Sequence, residues 1–292
     1  MGSNKIDSQA IGLDTSLAFS RWLTGREHLH YGLWTGLDVT AANAGAAQDA
    51  YSQRLFALLP QRPGLRILDI GGGAGETAKK LIALGHSVEI VIPSAYLAAA
   101  CRRNAPQARV HECRFQEFQS PGGFDLCLFS ESFQYVPLQA SLAKARGLLA
   151  PGGAIVIGDC FRREGFVPDP RHRTVGGGHR IEEFRAALPG LGLTIAAEDE
   201  VTEAVAPSID LEQALFNVVG TGLSGIDREL RLKRPWTHRA LMLVLRLFLS
   251  ARKRDRLALR LFGQARTSGA FIAANRYLLL RLEPVADTAP PA

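Results

Sequence analysis

The sequence predicts an α/β protein whose parallel strands are covered by helices on both faces, and three observations support this class. From about Leu65 to Asp159, short apolar runs alternate with segments of helical periodicity, as in consecutive β–α–β units. A cluster of glycines separates the first apolar run from the first helical segment. The 292 residues are 47% apolar and 21% charged, a composition that buries a core and argues against disorder.

Alternating strands and helices account for this central part. The strand Phe124–Phe129 is apolar on both faces, which is typical of a strand inside a parallel sheet. The run Pro151–Gly153 ends the last of the central helices. In chain order we predict strand Leu65–Ile70, helix Glu76–Leu84, strand Val88–Ile92, helix Ser94–Arg103, a weak strand Arg109–Cys113, strand Phe124–Phe129, helix Leu138–Leu149 and strand Ala154–Gly158.

Helical patterns also flank the central part on both sides. A loop rich in Pro, Arg and Gly follows it over Arg162–Gly178, and the Pro/Ala-rich tail Ala286–Ala292 is expected to be disordered. Further helices are predicted over Leu17–Trp34, Ala46–Leu59, Ile181–Leu188, Leu211–Gly220 and Pro235–Phe262, and further strands over Leu193–Ala197 and Asn275–Leu282.

The cysteines and the N-terminal residues indicate the cellular compartment in which the protein is expected. Residues Met1–Ser20 are polar and lack the basic and apolar regions of a signal peptide, so a cytoplasmic, reducing location is expected. The four cysteines stand singly, without C-x-x-C spacing, and this predicts neither a disulfide framework nor a zinc site. These residues are Cys101, Cys113, Cys127 and Cys160.

The net charge of +6 is concentrated near the C-terminus. Arg228–Arg266 holds 12 basic and 2 acidic residues, a net +10, whereas the rest of the chain holds 22 and 26, a net −4. Within it, residues 236–262 mix arginines with apolar runs of about ten residues, far below the ~20 needed to span a bilayer. Three interpretations stay open: a membrane-surface helix, a cap over an apolar active site, and an insertion helix with solvated arginines. Nucleic-acid binding is disfavoured because basic charge elsewhere is scarce.

A glycine loop is the strongest motif in the chain. The run Asp69–Gly75 reads D-I-G-G-G-A-G at a predicted strand-to-helix junction, where glycines let the backbone approach a ligand closely. The dinucleotide pattern G-x-G-x-x-G fails, because Glu76 takes the sixth position counted from Gly71, and no P-loop lysine follows at the required spacing. The pattern that fits is acid-x-Gly-x-Gly-x-Gly.

This pattern resembles the first motif of the class I S-adenosylmethionine-dependent methyltransferases. Other segments are similar to the subfamily that contains tocopherol, sarcosine/dimethylglycine and cyclopropane-forming enzymes, and the resemblance runs from about Leu29 to Pro207. These segments are His30–Trp34, similar to the subfamily's lid; Phe124–Leu126 with Ser130–Tyr135, similar to its fourth strand and the following loop; Leu148–Gly153, similar to the turn before its fifth strand; and Val201–Pro207.

The resemblance implies a Rossmann-like methyltransferase fold with a seven-stranded, mostly parallel sheet and helices on both faces. It also implies an N-terminal helical lid and a helical insertion before the last strand. The corresponding division of the chain is 1–60 for the lid, 61–207 for the cofactor-binding core, 208–268 for the basic insertion or cap, 269–285 for the last strand and 286–292 for the disordered tail.

By the same resemblance, S-adenosylmethionine is the cofactor. Gly71, Gly72, Gly73 and Gly75 would cradle its amino-acid part, and Asp69 would support both the loop and the methionyl ammonium. The remaining expected cofactor-binding residues are Ile92, Pro93, Ser94, Arg114, Phe115 and Ser130.

Two of these positions depart from the family pattern. Ile92 stands where the family usually has the acidic residue that accepts hydrogen bonds from the ribose, and Glu89 faces the other way by strand alternation. Arg114 stands near the usual adenine-binding Asp, and arginine cannot accept a hydrogen bond. Three explanations stay open: weaker binding or binding through Ser94, Tyr96 and backbone groups, a modified cofactor, and loss of methyl transfer.

The candidate catalytic residues are Glu131, Tyr135, His30 and Tyr31. Glu131 follows a strand's carboxyl end, where it would touch the cofactor or act as a base, the alternative being a solvated loop carboxylate. Tyr135 would orient substrate or pack its ring. In the lid-like segment, His30 beside Tyr31 would deprotonate an acidic hydroxyl, or would be a structural histidine. Further candidates are Asp159 and, with a surface-loop role as the alternative, His172 and His179.

The sequence thus predicts S-adenosylmethionine-dependent methyl transfer to a small, lipophilic metabolite. A methyltransferase-like isomerase, cyclase or lyase that uses the same cleft is the alternative, and a non-catalytic ligand-binding protein is the third reading. The acceptor atom and the oligomeric state are left open. Peripheral contact with a membrane through residues 236–262 is one of the open interpretations of the basic segment.

Overall fold

The computed structural model of the chain describes residues 17–168, 174–262 and 266–285. The expected tail 286–292 and the candidate His172 lie outside the described residues. Among the described helices, none combines the length and the apolar composition that crossing a membrane requires.

One seven-stranded sheet forms the centre of the molecule, in the order β3-β2-β1-β4-β5-β7-β6. The pairs from β3 through to β5 are parallel, and β7 alone runs against its neighbours β5 and β6. The seven-stranded, mostly parallel sheet of the sequence prediction is therefore confirmed. The strands are β1 Arg66–Ile70, β2 Ser87–Val91, β3 Arg109–His111, β4 Phe124–Ser130, β5 Leu149–Arg162, β6 Leu193–Glu200 and β7 Asn275–Pro284.

Helices precede, connect and follow these strands. A long helical insertion lies between β6 and β7, as the sequence predicts. The helices are α1 (17–24), α2 Ala44–Phe56, α3 Glu76–Ala83, α4 Ala95–Asn104, α5 Leu138–Leu148, α6 Ile181–Gly190, α7 Thr202–Val205, α8 Pro207–Lys233, α9 Pro235–Phe248, α10 Ala251–Phe262 and α11 Ser268–Ala274, with short 3-10 turns at Ala41–Asn43 and Phe133–Tyr135.

The core has two apolar layers, one on each face of the sheet. Consecutive residues of a strand point to opposite faces, so Ile67 belongs to one layer and Leu68 to the other. The first layer is closed by side chains of α2, α3 and α4, among them Tyr51. The second is closed by α5 and α6, among them Phe184. Helices therefore cover both faces, and the carboxyl ends of β1 and β4, between which the strand order reverses, face a shared edge.

Two predicted elements outside the basic insertion differ from the structure. The helix expected over Leu17–Trp34 ends at residue 24, and residues 27–34 follow as a non-helical stretch, here called the N-terminal segment. Its backbone is bonded elsewhere: Leu33 N–H donates to Ala47 (2.8 Å) and Trp34 N–H to Ala204 (2.9 Å). The expected turn Pro151–Gly153 lies inside β5, where its residues continue the strand.

The basic insertion also differs from its prediction. The helix expected over Leu211–Gly220 extends from Pro207 to Lys233, because its first turn begins with a favourable proline. The helix expected over Pro235–Phe262 is two helices, α9 and α10, because Leu249 between them has extended backbone angles. Helix α11 has no counterpart in the prediction.

Gly220 sets the distance between α8 and α10. A Cβ atom added at Gly220 would lie 2.3 Å from the carbonyl oxygen of Leu261, which is closer than any real contact. Gly222 lies one half-turn further along α8, and a Cβ atom added there would meet nothing within 4 Å. The two glycines of one helix thus have opposite packing requirements.

We expect Gly220→Ala to lower the free energy of unfolding by about 1–3 kcal/mol, because α10 must move away from α8. The matched control Gly222→Ala gains helix propensity without a clash, so it raises the same quantity by about 0.5–1 kcal/mol. Urea denaturation of both variants measures the difference. Equal stabilisation by the two alanines would show that α10 does not pack against α8 at this position.

Candidate functional site

The glycine loop connects the end of β1 to α3, as predicted. Gly71 and Gly75 have φ angles of 77° and 88°, in the left-handed region that favours glycine. Their surroundings also exclude a side chain: an added Cβ would lie 2.4 Å from Cβ of Ser132 at Gly71, and 2.9 Å from Cα of Cys101 at Gly75. Close packing against the ends of β4 and α4 therefore requires both glycines.

Asp69 lies buried beneath this loop with an unpaired carboxyl group. Both of its oxygens are inaccessible and have no hydrogen-bond partner among the described residues. Burial raises its pKa to about 7. An added Cβ at Gly72 would lie 2.6 Å from Oδ2 of Asp69, so the carboxyl group packs directly against the loop. A buried acceptor without a partner fits a cationic group held by the loop.

The residues beyond β2 offer little to a polar ligand. Ile92 is buried directly after β2, and Ser94 caps α4 by accepting a hydrogen bond from Leu97 N–H (3.3 Å). Glu89 is committed elsewhere: its two carboxylate oxygens pair with Arg66 (2.8 Å) and with Nε2 of His111 (2.8 Å). No carboxylate in the described part of β2 is thus available to a ribose.

The next predicted cofactor residues divide between surface and core. Arg114 is exposed, and its guanidinium pairs with no described residue. Phe115 is buried edge-on against Phe129, with ring centroids 5.8 Å apart, and belongs to the second core layer. Ser130 ends β4 with a buried hydroxyl, and Pro93 precedes the cap of α4.

Glu131 comes next after β4 and has an unusual conformation. Among the described non-glycine residues it alone has a positive φ angle, 53°. One carboxylate oxygen, Oε1, accepts a hydrogen bond from Tyr31 N–H (2.7 Å) and another from the Tyr277 hydroxyl (2.8 Å). The other, Oε2, has no partner among the described residues. Desolvation outweighs both hydrogen bonds and raises the pKa of Glu131 to about 8.

Aromatic rings surround this carboxyl group. The hydroxyls of Tyr51 and Tyr277 lie 3.0 Å apart, and the ring of Tyr31 packs edge-on against Phe271 with centroids 6.0 Å apart. Tyr51 comes from α2 and Tyr277 from β7, and sequence reasoning missed both. No local motif marks them, since they meet Glu131 only after the sheet has formed.

His30 is stacked in the same cluster as a neutral ring. Its centroid lies 4.4 Å from that of Tyr51, and Nδ1 lies 2.8 Å from the carbonyl oxygen of Tyr31, to which it donates. Nε2 is buried without a partner among the described residues, and burial lowers the pKa of His30 to about 4. The stacking and burial support the structural interpretation of His30.

The remaining candidates lie around the turn after Glu131. Tyr135 is 70% exposed, and no hydrogen bond connects it to Glu131 in the described structure. Asp159 is buried, accepts hydrogen bonds from the backbone of Gln134 (3.0 Å) and Cys160 (2.7 Å), and so fixes this turn to β5. His179 bonds to the carbonyl oxygen of Phe133 (3.0 Å).

The N-terminal segment is tied to the glycine loop by a buried carboxylate that the sequence did not single out. Glu27 pairs with Arg103 (2.9 Å) and accepts a hydrogen bond from Asn104 (2.7 Å). Asn104 also donates to the carbonyl oxygen of Ala74 (2.9 Å), within the loop. A Cβ atom added at Gly73 would lie 3.7 Å from a methyl carbon of Leu29. The segment therefore lies over the loop and reaches Glu131 through Tyr31.

Sequence comparisons agree with this geometry. Residues 67–153 match the family model described as a methyltransferase domain. The 27-O-demethylrifamycin SV methyltransferase of Amycolatopsis mediterranei is 29% identical over 203 residues, which cover 62% of this chain and 72% of that protein. The trans-aconitate 2-methyltransferase of Deinococcus radiodurans is 30% identical over 38% of this chain and 44% of that protein.

Solved structures share the fold over nearly the whole chain. The cyclopropane synthase MmaA2 from Mycobacterium tuberculosis has a TM-score of 0.68 at 15% identity, covering 96% of this chain and 99% of that one. A sarcosine dimethylglycine methyltransferase described as putative, from Galdieria sulphuraria, scores 0.63 at 16%, covering 92% and 98%. The [4+2]-cyclase SpnF scores 0.63 at 16%, covering 95% of both chains.

The sheet order and the glycine loop define the class I methyltransferase fold. The match of residues 67–153 to a methyltransferase domain and the sequence relatives support a class I S-adenosylmethionine-dependent methyltransferase that acts on small molecules. S-adenosylmethionine is its cofactor.

We expect the affinity for S-adenosylmethionine to fall as the pH drops below about 7. If the Asp69 carboxylate attracts the ammonium of the cofactor, as the family resemblance implies, protonation of this group, whose pKa is about 7, removes that attraction. The dissociation constant at pH 6 should therefore be about ten times that at pH 8. Isothermal titration between pH 6 and pH 8.5 measures it.

The variant Asp69→Asn should bind weakly at pH 8 and show no such slope, while the exposed control Glu183→Gln should behave as the unaltered protein does. An unchanged pH slope in Asp69→Asn would assign the titration to another group and contradict this role.

Proposed function

We propose that this methyltransferase methylates a hydroxyl or similarly protic group of a small, lipophilic metabolite, with Glu131 accepting the proton. The proposal rests on the hydrogen bonding of the Glu131 carboxyl group. Its Oε1 accepts two hydrogen bonds, and its Oε2 has no partner among the described residues. It lies directly beside the glycine loop, because its neighbour Ser132 packs on Gly71 and bonds to Ile70.

The chemistry needs a positioned nucleophile and a base. When bound, S-adenosylmethionine would supply an electrophilic methyl group to the acceptor oxygen and leave as S-adenosylhomocysteine, and Glu131 would take the acceptor's proton. A base with a pKa of about 8 is well matched to this transfer near neutral pH. The two donors on Oε1 hold the carboxylate in place while Oε2 receives the proton.

The cofactor would be held mainly at its amino-acid end. Gly71, Gly72, Gly73 and Gly75 would contact it through their backbone, and Asp69 would pair with its ammonium. The apolar side chain of Ile92 cannot accept a hydrogen bond from the ribose. Ser94 and backbone groups would therefore supply the polar contacts to the ribose. We therefore propose that this protein binds its cofactor more weakly than a relative with an acidic residue at position 92.

The described parts of the predicted lid and cap, residues 17–60, 208–262 and 266–268, would enclose the substrate. In support, the hydroxyl of Ser208, at the start of α8, lies 3.1 Å from Gly32 N and 2.8 Å from Nε1 of Trp34 in the N-terminal segment. The aromatic rings of Tyr31, Tyr51 and Tyr277 lie around Glu131, and this favours a lipophilic acceptor. Peripheral contact of residues 236–262 with a membrane would bring such an acceptor within reach.

A non-methylating reaction in the same cleft is the second candidate. The observation that favours it is the absence of ribose and adenine acceptors at Ile92 and Arg114, and the fold is also that of a [4+2]-cyclase. Release of S-adenosylhomocysteine separates the two, because a cyclase, isomerase or lyase would turn over an acceptor without forming it. A non-catalytic binding protein would turn over nothing.

We expect Glu131→Gln to lower the rate of S-adenosylhomocysteine release by about a hundredfold or more, because an amide cannot accept the proton. Binding of S-adenosylmethionine should stay within about twofold, since Glu131 acts on the acceptor. 27-O-demethylrifamycin SV is the acceptor to test first, since it is named for the relative from Amycolatopsis mediterranei. A Gln variant with full turnover would show that another group is the base.

The pH profile gives a second readout of the same claim. With the original Glu131, the rate should rise with pH through about 8, as the carboxyl group ionises. Tyr277→Phe removes a donor that favours the carboxylate, so the midpoint should move to higher pH. Tyr51→Phe, one hydroxyl further away, should move it less. Identical midpoints in all three proteins would show that the pH dependence of the rate does not come from Glu131.

A further inference from the structure

The basic insertion presents an unusually large apolar surface to solvent. No residue of α9 is buried, although most of its side chains are apolar. Large exposed apolar side chains also occur on α8 and α10. Soluble single chains seldom leave such a surface uncovered, so it indicates a contact with something outside the described chain.

Helix α9 touches the rest of the molecule along one narrow stripe. His238, which bonds to Asp227 of α8 (2.8 Å), and Met242 one turn later are its partly covered residues. Trp236, Leu243 and Leu247 lie on another face, at helical spacing, with 78%, 58% and 75% of their surfaces exposed. A continuous apolar stripe therefore points away from the protein.

Arginines line the space between α8 and α9. Arg231, Arg239 and Arg246 border a cavity of about 520 Å³ together with His238, Met242 and Leu243. Arg231 is paired with Asp227 (2.9 Å), whereas Arg239 and Arg246 have no acidic partner among the described residues. Arg239 lies over the ring of Trp236, 5.2 Å from its centroid. Unpaired cations thus lie directly beside the exposed apolar stripe.

The charge distribution selects among the surfaces that could cover this stripe. Residues 228–266 carry a net +10, against −4 for the rest of the chain. A second copy of the same surface would bring two such charges together, and a nucleic acid would leave the Trp and Leu side chains in water. An anionic phospholipid bilayer offers phosphates to the arginines and an apolar interior to the stripe.

We propose that α9 docks this protein on anionic phospholipid bilayers. Lipid phosphates bind Arg239 and Arg246. The side chains of Trp236, Leu243 and Leu247 enter the boundary between headgroups and acyl chains. The helix lies in the membrane plane. This docking needs neither cofactor nor acceptor, so it can be measured separately from methyl transfer.

Flotation with vesicles tests the docking. The full chain should float with vesicles of phosphatidylcholine and phosphatidylglycerol at about 3:1, and far less with phosphatidylcholine alone, and salt should weaken the binding. Each arginine near the surface contributes roughly fivefold to partitioning, so Arg239→Gln/Arg246→Gln should lower it about thirtyfold. Trp236→Ser/Leu243→Ser/Leu247→Ser should also lower it at least tenfold.

The matched control is Arg109→Gln/Leu84→Ser, which changes an exposed cation and an exposed apolar side chain far from α9 and should bind as the unaltered chain does. Binding of S-adenosylmethionine should be the same in every variant. If the triple serine variant fails to fold, the arginine pair alone decides the outcome.

Three results would overturn the proposal: no flotation with either vesicle, equal flotation with both, or unchanged flotation of the α9 variants. A dimer in light scattering that the serine substitutions dissociate, without vesicle binding, would assign the stripe to a second copy. If millimolar inorganic phosphate prevented flotation and the serine substitutions did not change it, the arginines would be assigned to binding a free anion.

Discussion

The candidate site depends on one carboxylate oxygen that two distant parts of the chain share. Oε1 of Glu131 accepts one hydrogen bond from the backbone of Tyr31 and another from the hydroxyl of Tyr277. The first donor belongs to the N-terminal segment and the second to β7, so one acceptor holds both against the end of β4. The same enclosure raises the pKa of Glu131, and the positive φ angle directs the residue there. Anchoring and acid–base capacity therefore have a common cause.

Two buried carboxyl groups flank the glycine loop and have different partners. Asp69 has no hydrogen bond among the described residues, which leaves it for a cation from outside the protein. One carboxylate oxygen of Glu131 accepts two hydrogen bonds and the other has no partner among the described residues. The second oxygen is therefore free to accept a proton from a bound acceptor. Their positions at the ends of β1 and β4 follow from the sheet order, because these strands are neighbours whose carboxyl ends meet. Under the proposed function, the topology thus separates an acid that would pair with the cofactor from an acid that would take the acceptor's proton.

Local sequence signals predicted the strands and the glycine loop, because apolar runs and left-handed turns are encoded by adjacent residues. Residues 27–34 show the limit of such signals. Their apolar pattern suggested a helix, but the tertiary hydrogen bonds of Leu33 and Trp34 hold them in another conformation. Tyr51 and Tyr277 could not be predicted, because they approach Glu131 only through the pairing of β5 with β7 and the packing of α2 on the sheet. His30 was predicted as a candidate, but its burial, invisible in the sequence, explains its neutral stacked state.

Titration of S-adenosylmethionine into the protein at pH 8, followed by calorimetry, tests the central claim most directly. If the glycine loop and Asp69 suffice to bind the cofactor, although Ile92 offers nothing to the ribose, the unaltered protein binds one cofactor per chain saturably. The variant Ile92→Asp should then bind about tenfold more tightly. No detectable binding to the unaltered protein, with binding restored by Ile92→Asp, would contradict this claim, because the fold would then have retained the cleft and lost the cofactor.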